Sequence, residues 1–147
     1  MKHLKFVGLT VLSLAALLVC GANGADNCRE TIRGDGNVLV GEGRQRAQFH
    51  VLGTELDGTV SGRLDFRDRH SGIRLRSRNL TAYEVVDAET RRLTFDLGDS
   101  ATAIVTLRDL GRRGRNDFFE ISSGDYLASG NLRGGQVRLR HRGDGCE

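Results

Sequence analysis

From Asn37 onward, apolar side chains recur at every second position in one segment after another, the period that places them on one face of a pleated strand. Ala47, Phe49 and Val51 alternate with Gln48 and His50, and Val60, Gly62, Leu64 and Phe66 alternate with Ser61, Arg63, Asp65 and Arg67. Ile73 and Leu75 do the same against Arg74, Arg76 and Arg78, as do Leu93, Phe95 and Leu97 against Thr94 and Asp96. Ala103, Val105 and Leu107, then Phe119 and Ile121, then Val137 and Leu139 continue the rhythm. With Val38 to Val40, Leu80 to Val86 and Tyr126 to Leu132, the pattern predicts about nine or ten short strands. No helical stripe competes with it.

Turn signals separate these runs: Gly53 with Asp57-Gly58, His70-Ser71-Gly72, Asp87 to Thr90, Gly98-Asp99, Gly111 to Asn116, Ser123-Gly124-Asp125 and Gly134-Gly135. Links this short make consecutive strands antiparallel. So many alternating strands in one small unit imply an all-β fold, an antiparallel barrel or barrel-like sandwich. The inward set includes Phe49, Phe66, Phe95 and Phe119, large enough to fill a small barrel, although a ligand-holding interior is an alternative.

Composition adds location and covalent closure. Lys2, His3 and Lys5 precede the apolar run Phe6 to Val19, and small residues follow at Gly21 to Gly24. This is the order of a secretion signal, too short to span a bilayer. Residues 1–24 are therefore expected to be a signal peptide and 25–147 a single all-β domain, secreted, periplasmic or at the cell surface, with no transmembrane segment. Leu17-Leu18-Val19-Cys20 approximates a lipoprotein box, but Val19 is bulkier than that processing favours. Cys28 and Cys146 are then the two remaining thiols of an exported chain, and they are expected to form a disulfide that clasps its ends. The 22 Lys+Arg against 19 Asp+Glu give a formal charge of +3. Lys2 and Lys5 are the only lysines and lie in the signal, so the remaining domain is close to neutral and arginine is its only strong base.

In the C-terminal half the residues resemble a family of bacterial extracellular domains of the post-COAP type. Gly62-Arg-Leu64-Asp-Phe66-Arg-Asp68 resembles that family's Gly-x-Leu-x-Tyr-x-Asp strand. The stretch Asp109 to Asp117, continuing through Phe118-Phe119-Glu120-Ile121, resembles its Asp-x-Gly-x-x-Gly-x-x-Asp-x-Phe-x-Ile signature. Gly124-Asp-Tyr126, Gly130-x-Leu132 and Gly134-Gly135-Gln136-Val137-x-Leu139 resemble its ending. The similarity runs from about Gly34 to His141. Arg112-Arg113 stand where the family often has Glu-Pro, and Gln136 replaces its usual Asn. The resemblance implies a secreted or surface-attached all-β accessory domain without an assigned reaction, and a structural, turn-closing role for Asp117.

Three groups of residues carry candidate chemistry. Asp68 and His70, two apart, would share a face if their strand continued, placing an oxygen beside an imidazole for a metal or for acid/base work; a solvated turn explains the same letters. Asp109, Asn116 and Asp117 offer oxygens of the kind calcium prefers, opposed by Arg112, Arg113 and Arg115 in the same loop. Arg74, Arg76 and Arg78 project from one face of their strand, and Arg138, Arg140 and Arg142 from one face of theirs, in stripes suited to bidentate contacts with carboxylate, sulfate or phosphate. A cross-strand salt-bridged surface is the alternative meaning of these stripes, since Asp65, Glu84, Asp96 and Glu120 fall on comparable outward positions. There is no G-x-S-x-G elbow, no HExxH and no phosphate-cradling glycine motif. His50 and His141 are expected on outward positions, without triad partners.

These observations predict a non-enzymatic, exported β-domain acting as a binding or accessory module with no cofactor. Its candidate partner is a polyanionic surface component held by Arg74, Arg76, Arg78, Arg138 and Arg140. Nucleic acid is not expected of an exported chain without exposed aromatics for base stacking. The alternatives are a metal-dependent or hydrolase-like activity centred on Asp68 and His70, and a small apolar ligand carried in the barrel interior.

Overall fold

The computed structural model describes residues 28–41, 45–111 and 116–143. Cys20, Cys146, the expected signal segment and Arg112 to Arg115 lie outside the described residues. Ten strands and no helix form the described chain: β1 (Arg29–Val40), β2 (Gln45–Leu56), β3 (Thr59–Asp68), β4 (Ile73–Ser77), β5 (Asn79–Val85), β6 (Thr90–Gly98), β7 (Ala101–Arg108), β8 (Phe118–Ser123), β9 (Tyr126–Asn131) and β10 (Gly134–Arg142).

They make two five-stranded antiparallel sheets, ordered β10-β1-β2-β3-β4 and β5-β6-β7-β8-β9. The chain meanders through the first sheet, crosses at Arg78 into the second, meanders again, and returns through Leu132-Arg133 so that β10 pairs with β1. This is the up-and-down order of a barrel flattened into a sandwich, as the alternation predicts. Asp57 (φ 51) and Gly58 (φ 78) form the tight turn between β2 and β3, matching the primed turn that right-twisted strands require.

The core lies between the sheets. Phe49 and Phe66 from the first sheet meet Phe119 from the second: the rings of Phe49 and Phe119 stack at 3.9 Å between centroids, and Phe66 lies 5.9 Å from Phe119. Ile32, Val38, Val51, Leu93, Phe95, Val105, Leu107, Ile121 and Val137 bury themselves around this stack. The interior is thus occupied by the protein's own side chains.

Two expectations are corrected. The first strand begins at Arg29 rather than near Asn37, running through Gly34-Asp35-Gly36, which has the letters of a turn. Gly53 is interior to β2 and Gly134-Gly135 opens β10, so neither is a turn between strands. At Gly53 the requirement is close approach of the sheets: a Cβ there would stand 2.8 Å from Leu93 Cδ2. Gly34 likewise faces Leu107, at 2.9 Å. The sheets approach by seating leucine against glycine, and that need overrides the low strand propensity of glycine.

Candidate anion-binding face

Alternation gives each sheet an inner and an outer face, and register decides which outer residues become neighbours. The outer face of the first sheet carries Arg29 and Arg33 from β1, Arg46 from β2, Arg63 and Arg67 from β3 and Arg74 and Arg76 from β4. Arg78, just past β4, and Arg138, Arg140 and Arg142 from β10 complete it. Against these stand two carboxylates in the same strands' outward positions, Asp35 and Asp65. The two arginine stripes seen in sequence, on β4 and β10, are opposite edges of this one sheet. The sequence pattern did not reveal that Arg33, Arg63 and Arg67 fill the space between them.

Three cross-strand neighbours on this face are arginine opposite arginine: Arg29 with Arg142, Arg33 with Arg138 and Arg67 with Arg74. Like charges directly opposite destabilise a sheet. The outer face of the second sheet sets one charged pair opposite in register, and it is of opposite sign. Glu84 lies opposite Arg92, with Arg92 Nη1 3.2 Å from the carboxylate, and no like-charged pair occurs in its described register.

Of the five arginines singled out in sequence, Arg76 is in the predicted kind of cross-strand ion pair, its Nε donating to Asp65 Oδ2 at 2.8 Å. Among the described residues no carboxylate pairs with Arg74, Arg78, Arg138 or Arg140. Their guanidinium groups are available to an external anion.

Shallow depressions cover the face. One is lined by His50, Arg63, Asp65, Arg76 and Arg78, another by Arg33, Asp35, Leu52, Gln136, Arg138 and Arg140, with Arg33 Nε 3.4 Å from Asp35 Oδ1, and a third by Gln48, Asp65, Arg67 and Arg74. At its centre Arg63 Nη2 donates to His50 Nε2 at 2.9 Å, a contact that requires neutral imidazole. Partial burial, then the charges of Arg63 and Arg33, hold the His50 pKa below its ordinary value, against a smaller opposing effect of Asp35 and Asp65.

The near-neutral composition conceals this asymmetry because many carboxylates are committed elsewhere. Asp68, almost fully buried, accepts from His70 N at 2.9 Å, Ser71 N at 3.4 Å, Ser71 Oγ at 2.6 Å and Tyr126 Oη at 2.9 Å. Burial raises its pKa, but these four donors outweigh that and leave it lowered. Tyr126 is pushed up by burial and by the same bond. β3 ends at Asp68, which faces inward, and His70 is exposed in the turn beyond it, so the expected shared face does not form.

Asp117 accepts from Leu110 N at 2.9 Å through one oxygen and from Val137 N at 2.7 Å through the other. Asp109 accepts from Gly111 N at 3.1 Å and Leu139 N at 2.8 Å. Val137 and Leu139 lie on the edge strand β10, so these carboxylates replace the neighbour that the strand lacks. Among the described residues no group of three His, Cys, Asp or Glu side chains is arranged to hold a metal ion.

One polar cluster was not visible in sequence. Glu30, facing inward at the end of β1, receives the Arg91 guanidinium through both oxygens, Nε to Oε1 and Nη2 to Oε2, and the Tyr83 hydroxyl at 2.7 Å. His141 Nδ1 is 3.0 Å from Glu30 Oε2, so this imidazole lies on the inner side of β10, not on the outer side expected. Burial raises the Glu30 pKa, but the bonds from Arg91 and Tyr83 prevail and lower it. Arg91 stands in an ordinary alternating strand, and nothing local distinguishes it from its outward neighbour Arg92 except parity.

No protein-family model, no curated protein and no solved structure matches this chain.

Proposed function

We propose that this protein is an exported, non-enzymatic binding module that holds a polyanion on the outer face of its first sheet. The observation that carries the reading is the placing of like charges opposite one another at three positions on that face, while the described register of the second sheet has no like-charged pair. Folding alone favours the second arrangement. A bound polyanion would turn the repulsion between arginines into attraction, and guanidinium is suited to bidentate contacts with sulfate, phosphate or carboxylate.

Export and closure by a Cys28–Cys146 disulfide belong to the same proposal. The pairing of Arg29 with Arg142 supports closure, because it sets Cys28 beside the chain segment leading to Cys146. Intact mass with and without reductant tests it: a gain of two hydrogens on reduction is expected, and two free thiols after oxidative export would refute it. Kinship with post-COAP-type domains is likewise proposed, and the clasping role of Asp109 and Asp117 supports it.

Binding is tested by retention on immobilised heparin. Salt-sensitive retention is expected, and it should be lost when Arg74, Arg78, Arg138 and Arg140 are replaced by Ser. Passage of the folded wild-type protein without retention at low salt would overturn the reading.

A further inference from the structure

Resting on the polyanion-binding reading, the register specifies how the ligand lies. Arg138 is opposite Arg33, Arg33 is opposite Leu52, and Leu52 is opposite Arg63. Arg78 continues the row, because it follows Ser77, which is the partner of Leu64. One line perpendicular to the strands therefore crosses four of them at Arg138, Arg33, Leu52 and Arg63 and reaches Arg78 just past the end of the fifth. At the usual spacing between strands it is about 19 Å long.

The line holds two arginine pairs with an aliphatic side chain between them. Leu52 is half-buried, so part of its surface is open to a ligand. The next row, Gln136, Asp35, His50, Asp65 and Arg76, is the one that holds both carboxylates of the face. Those carboxylates border the arginine line on one side and repel an anion that strays from it.

We infer that the ligand is a linear acidic polysaccharide, laid across the strands with anionic groups on the arginine pairs Arg138/Arg33 and Arg63/Arg78 and a sugar ring on Leu52. A compact anion would use one pair and gain nothing from the other. A single-stranded nucleic acid would call for a platform of aromatic rings, and the outward positions in the five strands of this sheet carry no Phe, Tyr or Trp, their one ring being the His50 imidazole, which is engaged by Arg63. A saturated ring with axial C–H groups needs only an aliphatic floor.

The inference is tested by titrating the intact protein with a heparin-derived oligosaccharide and, separately, with inorganic polyphosphate of similar length. Two charge-matched variants are compared: Arg33, Arg63, Arg78 and Arg138 to Gln along the line, and Arg29, Arg46, Arg67 and Arg142 to Gln away from it, with Arg74 left intact because it belongs to the binding residues already named. The first should weaken oligosaccharide binding at least tenfold and the second no more than threefold, with thermal unfolding confirming that both are folded. Equal losses would overturn the line while leaving a basic binding face. No binding by the wild-type protein would overturn the face as well. Leu52→Thr should weaken the oligosaccharide three- to tenfold and polyphosphate by less than twofold; an equal effect on both probes, or none on either, would overturn the assignment to a polysaccharide.

Discussion

The fully buried carboxylate of Asp117 accepts the backbone N–H of Val137 at 2.7 Å, joining the entry to β8 in one sheet to the free edge of β10 in the other. Its second oxygen holds Leu110 N. Asp117→Ala would leave two backbone donors without their charged acceptor, at an expected cost of about 3–5 kcal/mol. Asp117→Asn keeps one acceptor oxygen and should cost about half as much. Chemical denaturation measures both, and amide exchange at Val137 should accelerate in each variant.

The Glu30–Arg91 pair is buried, with side-chain exposures of 11% and 3%. Arg91→Ala strands Glu30 and the Tyr83 hydroxyl, and should destabilise by about 3–5 kcal/mol. Replacing both partners, Glu30→Met with Arg91→Met, should recover most of that loss, because a buried ion pair adds little beyond an apolar pair of similar volume. A double variant no more stable than Arg91→Ala would contradict this account of the cluster.

Acid stability follows from carboxylates held below their ordinary pKa, of which Glu30 and Asp68 are buried and Asp87 is exposed. A carboxyl group whose pKa is lower in the folded than in the unfolded state stabilises the fold above its unfolded value and loses that contribution as pH falls through its folded value. The ordinary values are 4.5 for Glu30 and 3.8 for Asp68. Melting temperature should therefore be flat down to about pH 4.5 and fall below it, and Asp68→Asn should start lower and fall less steeply. Thermal scans from pH 7 to pH 2.5 check this.

Opposed arginines predict a trade-off between stability and binding. Arg138→Gln removes the charge facing Arg33 and should stabilise the fold by about 0.2–1 kcal/mol while weakening polyanion binding. Arg92→Gln on the second sheet, which breaks the pair with Glu84, should do neither. Thermal unfolding at low ionic strength and heparin retention, measured on the same preparations, decide it.

On the polyanion-binding proposal, His50 should make binding depend on pH. Its neutral form accepts from Arg63, and its pKa lies below the ordinary 6.5. A bound anion favours the charged imidazolium, so affinity should rise as pH falls below about 6.5, and His50→Gln should flatten the profile. A wild-type affinity independent of pH between 7.5 and 5 would refute the coupling.

Where side chains alternate strictly, the fold was legible in the sequence: Phe49, Phe66, Phe95 and Phe119 are inward, and Arg74, Arg76, Arg78, Arg138 and Arg140 are outward. It was illegible at Gly34 and Gly53, because a glycine required by Leu107 or Leu93 in the opposite sheet has the same letter as one required by a turn. Register was the larger obstacle for the site. Periodicity gave two arginine stripes but not their placement on one sheet, and it could not set Arg33 opposite Arg138. Glu30 and Arg91 are 61 positions apart, and only the closed order of strands brings them together. Asp68 and Asp117 showed themselves as carboxylates in turns, but their work on backbone donors appears only in three dimensions.

On the polyanion proposal, the ligand lies on the outer face of the first sheet. Two-dimensional NMR of the backbone amides and arginine Nε–Hε groups, recorded while a sulfated oligosaccharide is added, tests this placement most directly. Shifts should concentrate at Arg33, Leu52, Arg63, Arg78 and Arg138, with Arg92 and Arg108 unmoved. Shifts centred on the second sheet, or none at saturating oligosaccharide in low salt, would contradict it.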